Sequence, residues 1–169
     1  MSTRTKQIFL FLTIVVPFLG YCIIYYTPIL KNAPFRSDEF VSFQFQWGAG
    51  NDMPNIYDSA TGRYEYLDRN DSLIKTNVKL RPNDISYLHH KMNELGYWNF
   101  PDLIANTDTD LNKSKVLRYV FTFNYKRKTK KVIYLTDYSD IPKLATVAGQ
   151  MKVLVEKTIG DAEERYSKK

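Results

Sequence analysis

The hydrophobic pattern of this 169-residue chain begins with an uncharged stretch of 23 positions, from Ile8 to Leu30. At about 1.5 Å of rise per residue, a helix of that length covers the roughly 30 Å hydrocarbon core of a bilayer. The pattern therefore predicts a transmembrane anchor at 8–30, preceded by a short tail at 1–7. We expect this anchor to be a single span.

Cys22 lies inside the anchor and leaves two alternatives open. A lipid attachment signal resembling those of lipoproteins needs a small residue directly before the cysteine, where this chain has the bulky Tyr21. A cleaved secretory signal has an apolar region of about 7 to 15 residues, shorter than the stretch found here. We favour an uncleaved anchor, with cleavage of the segment or lipidation of Cys22 as the alternatives.

Basic residues on the two sides of the anchor indicate its orientation. Arg4, Lys6 and the terminal amine precede the anchor, and Lys31 and Arg36 follow it. Positive charge favours the cytoplasmic side, and here a very short tail faces a large following domain. The sequence therefore predicts a cytoplasmic N-terminus, with residues 31–169 outside the cytoplasm.

After the anchor, a segment without periodicity is followed by one in which apolar and polar residues alternate. Residues 31–38 contain a proline and charges without periodicity, which predicts a juxtamembrane linker. Apolar and polar residues then alternate from Val41 to Trp47, as is typical of a half-buried strand. The segments 56–68 and 73–80 continue as strands, with Thr61 and Gly62 at a hairpin turn.

A helical period follows the first strands. Ile85, Leu88, Met92 and Leu95 recur at spacings of three and four, and Gly96 is expected to end this helix. A second hairpin is predicted at 116–137. A second amphipathic helix follows, with its apolar positions between 144 and 159, and a charged tail is expected at 161–169.

The element order β-β-β-β-α-β-β-α predicts an α+β domain at 39–160. Connections of hairpin length imply a two-layer domain, in which a largely antiparallel sheet carries both helices on one face. Because the second face would have no helical layer, we expect an aromatic binding face that a partner covers. Its predicted members are Tyr64, Tyr66, Tyr119, Phe121, Phe123 and Tyr125.

Composition limits the classes of function. The formal net charge is +6, and removing residues 1–30, which contain Arg4, Lys6 and no acid, leaves 22 basic and 18 acidic side chains, or +4. So small an excess does not identify a nucleic-acid-binding protein, and we expect no nucleic-acid partner. A single cysteine excludes an intrachain disulfide.

Histidine and glycine motifs give no strong catalytic signal. His89 and His90 are adjacent, so on a helix they point about 100° apart and cannot share one metal ion. The sequence GAG at 48–50 lacks a following helix that would present its N-terminus to a phosphate. Ser86 has no visible partners for a catalytic triad.

One acidic loop has part of a calcium-site pattern. Asp108, Asp110 and Asn112 occupy the first, third and fifth positions, as a calcium loop requires. However, Lys113 stands where a turn glycine is needed, and Tyr119 stands where a bidentate carboxylate is needed. We interpret the segment as a solvated loop, and we expect neither a metal nor another cofactor.

The strongest charge feature is the sequence KRKTKK at 126–131, which we call the basic hairpin. One interpretation is a solvated turn whose lysines discourage pairing at a sheet edge. The other is contact with an anionic surface, either phospholipid headgroups or an acidic partner. The residues that would make this contact are Lys126, Arg127, Lys128, Lys130 and Lys131.

The order of hairpin, strand, Leu-x-Pro, amphipathic helix and LGYWNFP resembles small extracytoplasmic bacterial domains of unknown function, often found on lipoproteins. The resemblance covers residues 39–160. It implies an envelope-facing, non-catalytic domain on a bacterial cytoplasmic membrane, and it transfers no site residue. The chain differs from these domains in carrying an anchor in place of a lipid attachment signal.

Three functions are compatible with the sequence. The leading hypothesis is a membrane-anchored, extracytoplasmic interaction module that binds an envelope protein or another envelope component. An inhibitor or immunity-type protein, which blocks a toxin or hydrolase in the same compartment, is the first alternative. The second alternative is an enzyme whose site combines residues distant in sequence, such as Asp108, Asp110 and His89.

Overall fold

A computed structural model describes residues 3–32 and 35–167, which fall into two compact units divided between residues 34 and 35. The first unit is helix α1, Thr3–Asn32. Its segment Thr3–Thr27 contains an 18-residue window with a mean hydropathy of 2.4, and none of that window is buried. Helix α1 is therefore long and apolar enough to cross a membrane, a property that a signal sequence would share.

The second unit is a seven-stranded mixed sheet with two helices, which confirms the predicted α+β class. The strand order is β4-β3-β2-β1-β6-β7-β5, and every neighbouring pair is antiparallel except β5 and β7. The strands are β1 (Phe40–Ala49), β2 (Asn55–Asp58), β3 (Arg63–Leu67), β4 (Leu73–Asn77), β5 (Leu103–Ile104), β6 (Leu117–Tyr125) and β7 (Thr129–Leu135). The helices are α2 (Pro82–Glu94) and α3 (Pro142–Ser167), and 3-10 turns lie at Ser37–Glu39 and Tyr97–Asn99.

Local sequence explains where α2 begins and ends. Pro82 occupies the first turn, where its missing N–H removes no helical hydrogen bond. The Asp84 carboxylate accepts a hydrogen bond from the Arg81 backbone N–H at 2.9 Å, which satisfies a donor at the helix start. Gly96 follows the helix with a φ of 75°, a conformation that glycine adopts without a steric penalty.

The core lies between one face of the sheet and both helices. Alternating residues of β1 and β6 face the helices and pair directly across the two strands, Phe43 with Phe123 and Phe45 with Phe121. Helix α2 contributes Leu88 and Met92 to the same core. Helix α3 contributes Ala148, Met151, Val155, Ile159 and Ala162.

The structure corrects the prediction of an exposed aromatic face. Phe121 and Phe123 have no exposed surface, Tyr119 is 3% exposed and Tyr125 is 5% exposed. Because these residues occur at every second position of β6, they all point to the face that the helices cover. Tyr64 and Tyr66 of β3 are half-buried at the margin of this core, and the Tyr66 hydroxyl donates to Glu163 at 3.1 Å.

The opposite face of the sheet is polar. Gln44 of β1 donates to Asp58 of β2 at 3.2 Å, and Asn124 of β6 donates to Ser42 of β1 at 2.9 Å. Within the described residues, no helix contributes to this face. Gln44 and Gln46 on this face are half-buried, whereas Ser42, Arg118 and Val120 are only 6–7% exposed.

The sequence predicted a charged tail at 161–169, but the structure has a helix as far as Ser167. Residues 168 and 169 lie outside the described residues. Helix α3 continues through residues 161–167, and Ala162 has no exposed surface. The Arg165 guanidinium binds Asp84 on α2, and Glu163 accepts the hydrogen bond from Tyr66. Charged residues therefore continue the helix because their partners lie on α2 and β3.

Candidate functional site

The basic hairpin connects β6 to β7. The Tyr125 backbone N–H donates to the Lys128 carbonyl at 3.0 Å, and the Thr129 hydroxyl donates to the Asn124 side-chain oxygen at 2.9 Å. This tight turn leaves Lys126, Arg127 and Lys128 exposed at its tip. The two hydrogen bonds fix the backbone from which the basic side chains project.

Phe35 packs against this hairpin. Its side chain is 5% exposed and stacks on Trp98 with 4.6 Å between the ring centres. The ring also meets Tyr125 edge-on at 5.5 Å, and the Lys128 ammonium lies 5.7 Å from its centre, within cation–π range. The folded domain therefore already includes Phe35.

This packing shortens the linker that the sequence predicted at 31–38. Residues 31 and 32 belong to α1, and residues 33 and 34 lie outside the described residues. From Phe35 onward the chain is part of the domain. No periodic pattern indicated that Phe35 belongs to the domain, because one buried aromatic ring does not make a pattern.

Glu39 joins residues 35–39 to the basic hairpin through two contacts. Its carboxylate accepts a hydrogen bond from Arg127 Nε at 2.6 Å. Its backbone carbonyl accepts from the Lys126 N–H at 2.9 Å. Arg127 is therefore used in attaching residues 35–39 to the β6–β7 turn.

Lys130 is also occupied within the domain. Its side chain is only 12% exposed, and its ammonium group donates to the Phe100 carbonyl at 2.5 Å and to the Asp102 carboxylate at 2.7 Å. The hydrogen bond from Lys130 lowers the pKa of Asp102 below its ordinary value. Of the five predicted contact residues, Lys126, Lys128 and Lys131 keep exposed side chains without an ion pair in the described chain.

Charge in the domain is concentrated around this turn. We define the basic patch as six basic and three acidic residues, with a net charge of six minus three, or +3: Arg36, Lys126, Arg127, Lys128, Lys130, Lys131, Asp38, Glu39 and Asp102. Residues 35–169 hold 21 basic side chains (24 less Arg4, Lys6 and Lys31) and 18 acidic ones, which is also +3. The remainder of the domain is therefore formally neutral.

A histidine lies beneath the patch. His89 Nδ1 is 2.7 Å from the Tyr125 hydroxyl, and its ring centre lies 5.6 Å from that of Trp98. Burial lowers the pKa of His89 below its ordinary value, which favours the neutral imidazole. His90 instead points outward and lies 3.1 Å from Glu94, so the two rings diverge as predicted.

Two residues of the enzyme alternative, Asp110 and His89, have different partners in the structure. Asp110 accepts a hydrogen bond from the Asn112 backbone at 3.0 Å and pairs with Lys113 at 3.5 Å, inside its own exposed loop. His89 is engaged with Tyr125 of β6. Among residues 3–32 and 35–167, no group of three or more His, Cys, Asp and Glu side chains is placed to hold a metal ion.

A second titratable cluster, which the sequence did not indicate, lies under α3. The Lys152 ammonium is 3.7 Å from Glu156 and 5.0 Å from the centre of the Tyr119 ring. Burial raises the pKa of Glu156 above its ordinary value. Because the three groups contact one another between helix and sheet, we interpret them as part of the α3 packing.

Comparison with known proteins adds no family assignment. A scan against protein-family models finds no match to the chain, and a search of curated proteins finds none either.

Proposed function

We propose that the chain is a membrane-anchored interaction module. Helix α1 holds the α+β domain on the extracytoplasmic side of a bacterial cytoplasmic membrane, where the domain binds an envelope protein or another envelope component and catalyses no reaction. The observation that supports this most is the burial of Phe35, three residues after the end of α1. Three residues reach at most about 11 Å, so the connection from α1 to the folded domain is short.

The polar sheet face supports a protein partner. It presents both signs of charge close together, with Arg63 bound to Glu65 at 2.7 Å and Lys75 lying 3.8 Å from the same carboxylate. A polyanion would meet repulsion from such carboxylates, whereas a folded protein can match both signs. We therefore assign partner binding to this face.

The orientation can be tested with single-cysteine variants, because Cys22 is the only native thiol. In Cys22→Ser/Asn70→Cys, the new thiol lies in the exposed turn between β3 and β4. A membrane-impermeant maleimide should label it in intact spheroplasts. In the matched control, Cys22→Ser/Thr3→Cys, labelling should require permeabilisation.

The reverse labelling pattern would contradict the proposed orientation. The mass of the purified native chain distinguishes the uncleaved anchor from the alternatives, since cleavage lowers the mass and lipidation of Cys22 shifts it by the acyl groups. A mass equal to that of the full sequence supports the anchor.

Partner binding can be tested by site-specific photo-crosslinking in cells. A photoreactive residue at Gln46, on the polar face, should give a discrete adduct, and the Arg63→Glu substitution should reduce its yield. The same residue at exposed Asp161 of α3 serves as the control. Equal adducts from both positions, or none from Gln46, would contradict partner binding through the sheet face.

A further inference from the structure

We propose that the basic patch binds the anionic phospholipid headgroups of the bilayer that α1 spans. This inference rests on the membrane anchoring proposed above, but not on the identity of any protein partner. It assigns a role to the lysines of the hairpin that form no ion pair in the described residues.

Chain length supports this choice of surface. Phe35 follows Asn32, the last residue of α1, by three residues, which span at most about 11 Å. The Lys128 ammonium lies 5.7 Å from the Phe35 ring. The patch therefore includes a side chain that packs on Phe35, only three residues after the end of α1 in the chain.

The distribution of charge supports an anionic ligand. Three acids of the patch are matched by three bases: Asp38 by Arg36, Glu39 by Arg127 and Asp102 by Lys130. The remaining members are Lys126, Lys128 and Lys131, and all three are exposed. Since the rest of the domain is formally neutral, its attraction to an anionic surface would arise at this patch.

The chemistry of these three side chains suits lipid phosphates. A lysine ammonium is a hydrated point charge on a flexible stem, which can follow laterally moving headgroups without one fixed geometry. The ion-paired Arg127 and Lys130 hold the hairpin backbone in place. The backbone that carries the three lysines is thus ordered before contact, which reduces the entropy lost on binding.

The covalent attachment of the domain to α1 favours lipid over an acidic protein. A bilayer that α1 spans presents phosphatidylglycerol or cardiolipin headgroups at high local concentration to the domain that follows it. A soluble acidic protein would have to be captured from solution. We therefore commit to bilayer phospholipid as the ligand.

The test uses the full chain reconstituted in phosphatidylcholine vesicles containing trace spin-labelled lipid. Electron paramagnetic resonance measures the fraction of phosphatidylglycerol label, and separately of phosphatidylcholine label, that is motionally restricted by the protein. We expect native protein to select phosphatidylglycerol severalfold. The variant Lys126→Gln/Lys128→Gln/Lys131→Gln should lose most of this preference.

Two controls isolate the patch. Lys113→Gln/Lys143→Gln/Lys157→Gln removes the same charge from exposed positions outside the patch and should keep the native preference. Replacing Lys126, Lys128 and Lys131 by Arg keeps the charge and should retain the preference even if the glutamine variant folds poorly. Salt at 1 M, where the Debye length is about 3 Å, should reduce the preference of native protein.

A glutamine variant that folds and selects phosphatidylglycerol as strongly as native protein overturns the proposal, as does an equal loss in the control variant. If the glutamine variant keeps its lipid preference but loses a protein crosslink, the patch binds protein and the lipid assignment is wrong. The cysteine-labelling and Gln46 crosslinking experiments use chains that keep all three lysines. Failure here is therefore distinguishable from failure of the proposed function.

Discussion

The Arg165 guanidinium donates to the Asp84 carboxylate at 2.5 Å and joins the end of α3 to the first turn of α2. The side chains are 32% and 18% exposed, so the pair is only partly screened by water. Asp84 also accepts the hydrogen bond from the Arg81 backbone. One carboxylate thus starts one helix and fixes the end of another.

Substituting Asp84→Ala should lower the free energy of unfolding by about 1–2 kcal/mol, because both the cap and the contact with Arg165 are lost. Urea denaturation of the full chain in detergent, followed by circular dichroism, measures the change. Asp161→Ala, at an exposed position of α3, should change it by less than about 0.5 kcal/mol. Equal effects of the two variants would mean that the Asp84 contacts contribute little.

Phe35→Ala should destabilise the domain by about 3 kcal/mol, since it leaves a cavity beside Trp98 and Tyr125. The control is a substitution to alanine at Val41, an apolar residue that is 57% exposed. Val41→Ala should fall within about 0.5 kcal/mol of the native protein. A native-like denaturation curve for Phe35→Ala would contradict the packing of residue 35 in the domain.

His89 should make stability depend on pH. Burial lowers its pKa from the ordinary 6.5, so below that pH the unfolded chain binds more protons at this residue than the folded protein does. Stability should therefore fall as the pH drops below 6.5 toward the lowered value. Unfolding free energies measured between about pH 5.5 and 7.5 should show a smaller slope in His89→Gln.

His90→Gln is the control for this experiment, since the His90 side chain is 71% exposed. It should keep the native slope. If His90→Gln removes the slope and His89→Gln does not, burial of His89 is not the cause of the pH dependence.

Gly48 in β1 should tolerate no side chain. A Cβ placed there would lie 2.8 Å from the Met53 Cα, a backbone atom that cannot move alone. Gly48→Ala should cost about 2 kcal/mol of stability through local strain. At Gly149 of α3 no heavy atom lies within 4 Å of the corresponding Cβ, so Gly149→Ala should raise stability by about 0.5–1 kcal/mol. Thermal denaturation of both variants measures these changes in stability. A Gly48→Ala variant more stable than the native protein would contradict the close approach of Gly48 to the Met53 backbone.

Periodicity was sufficient to predict the strands with several alternating residues and both helices of the domain. It did not predict β5, because Leu103 and Ile104 are too short a segment to show alternation. The capping of α2 by Pro82 and Asp84 lies within a few residues of sequence, so it could be predicted locally. The continuation of α3 depends on Tyr66 and Asp84, residues far away in the chain.

The site was predicted less completely than the fold. The run of bases at 126–131 is visible in the sequence, but its partners Glu39 and Asp102 are long-range and had no local signal. Alternation showed that aromatic residues share a face of β6, but not whether helices cover that face. Phe121 and Phe123 are buried because α2 and α3 pack on their face of the sheet. The alternation of residues along β6 does not determine which face the helices cover.

The burial of Phe35 also affects how the protein would encounter a partner. A domain on a flexible linker of 20 residues would sample a radius of about 25 Å around its attachment point. Phe35 follows the end of α1 by three residues, and three residues reach at most about 11 Å. When α1 spans a membrane, the search for a partner becomes two-dimensional, and its rate is set by lateral diffusion of the whole protein.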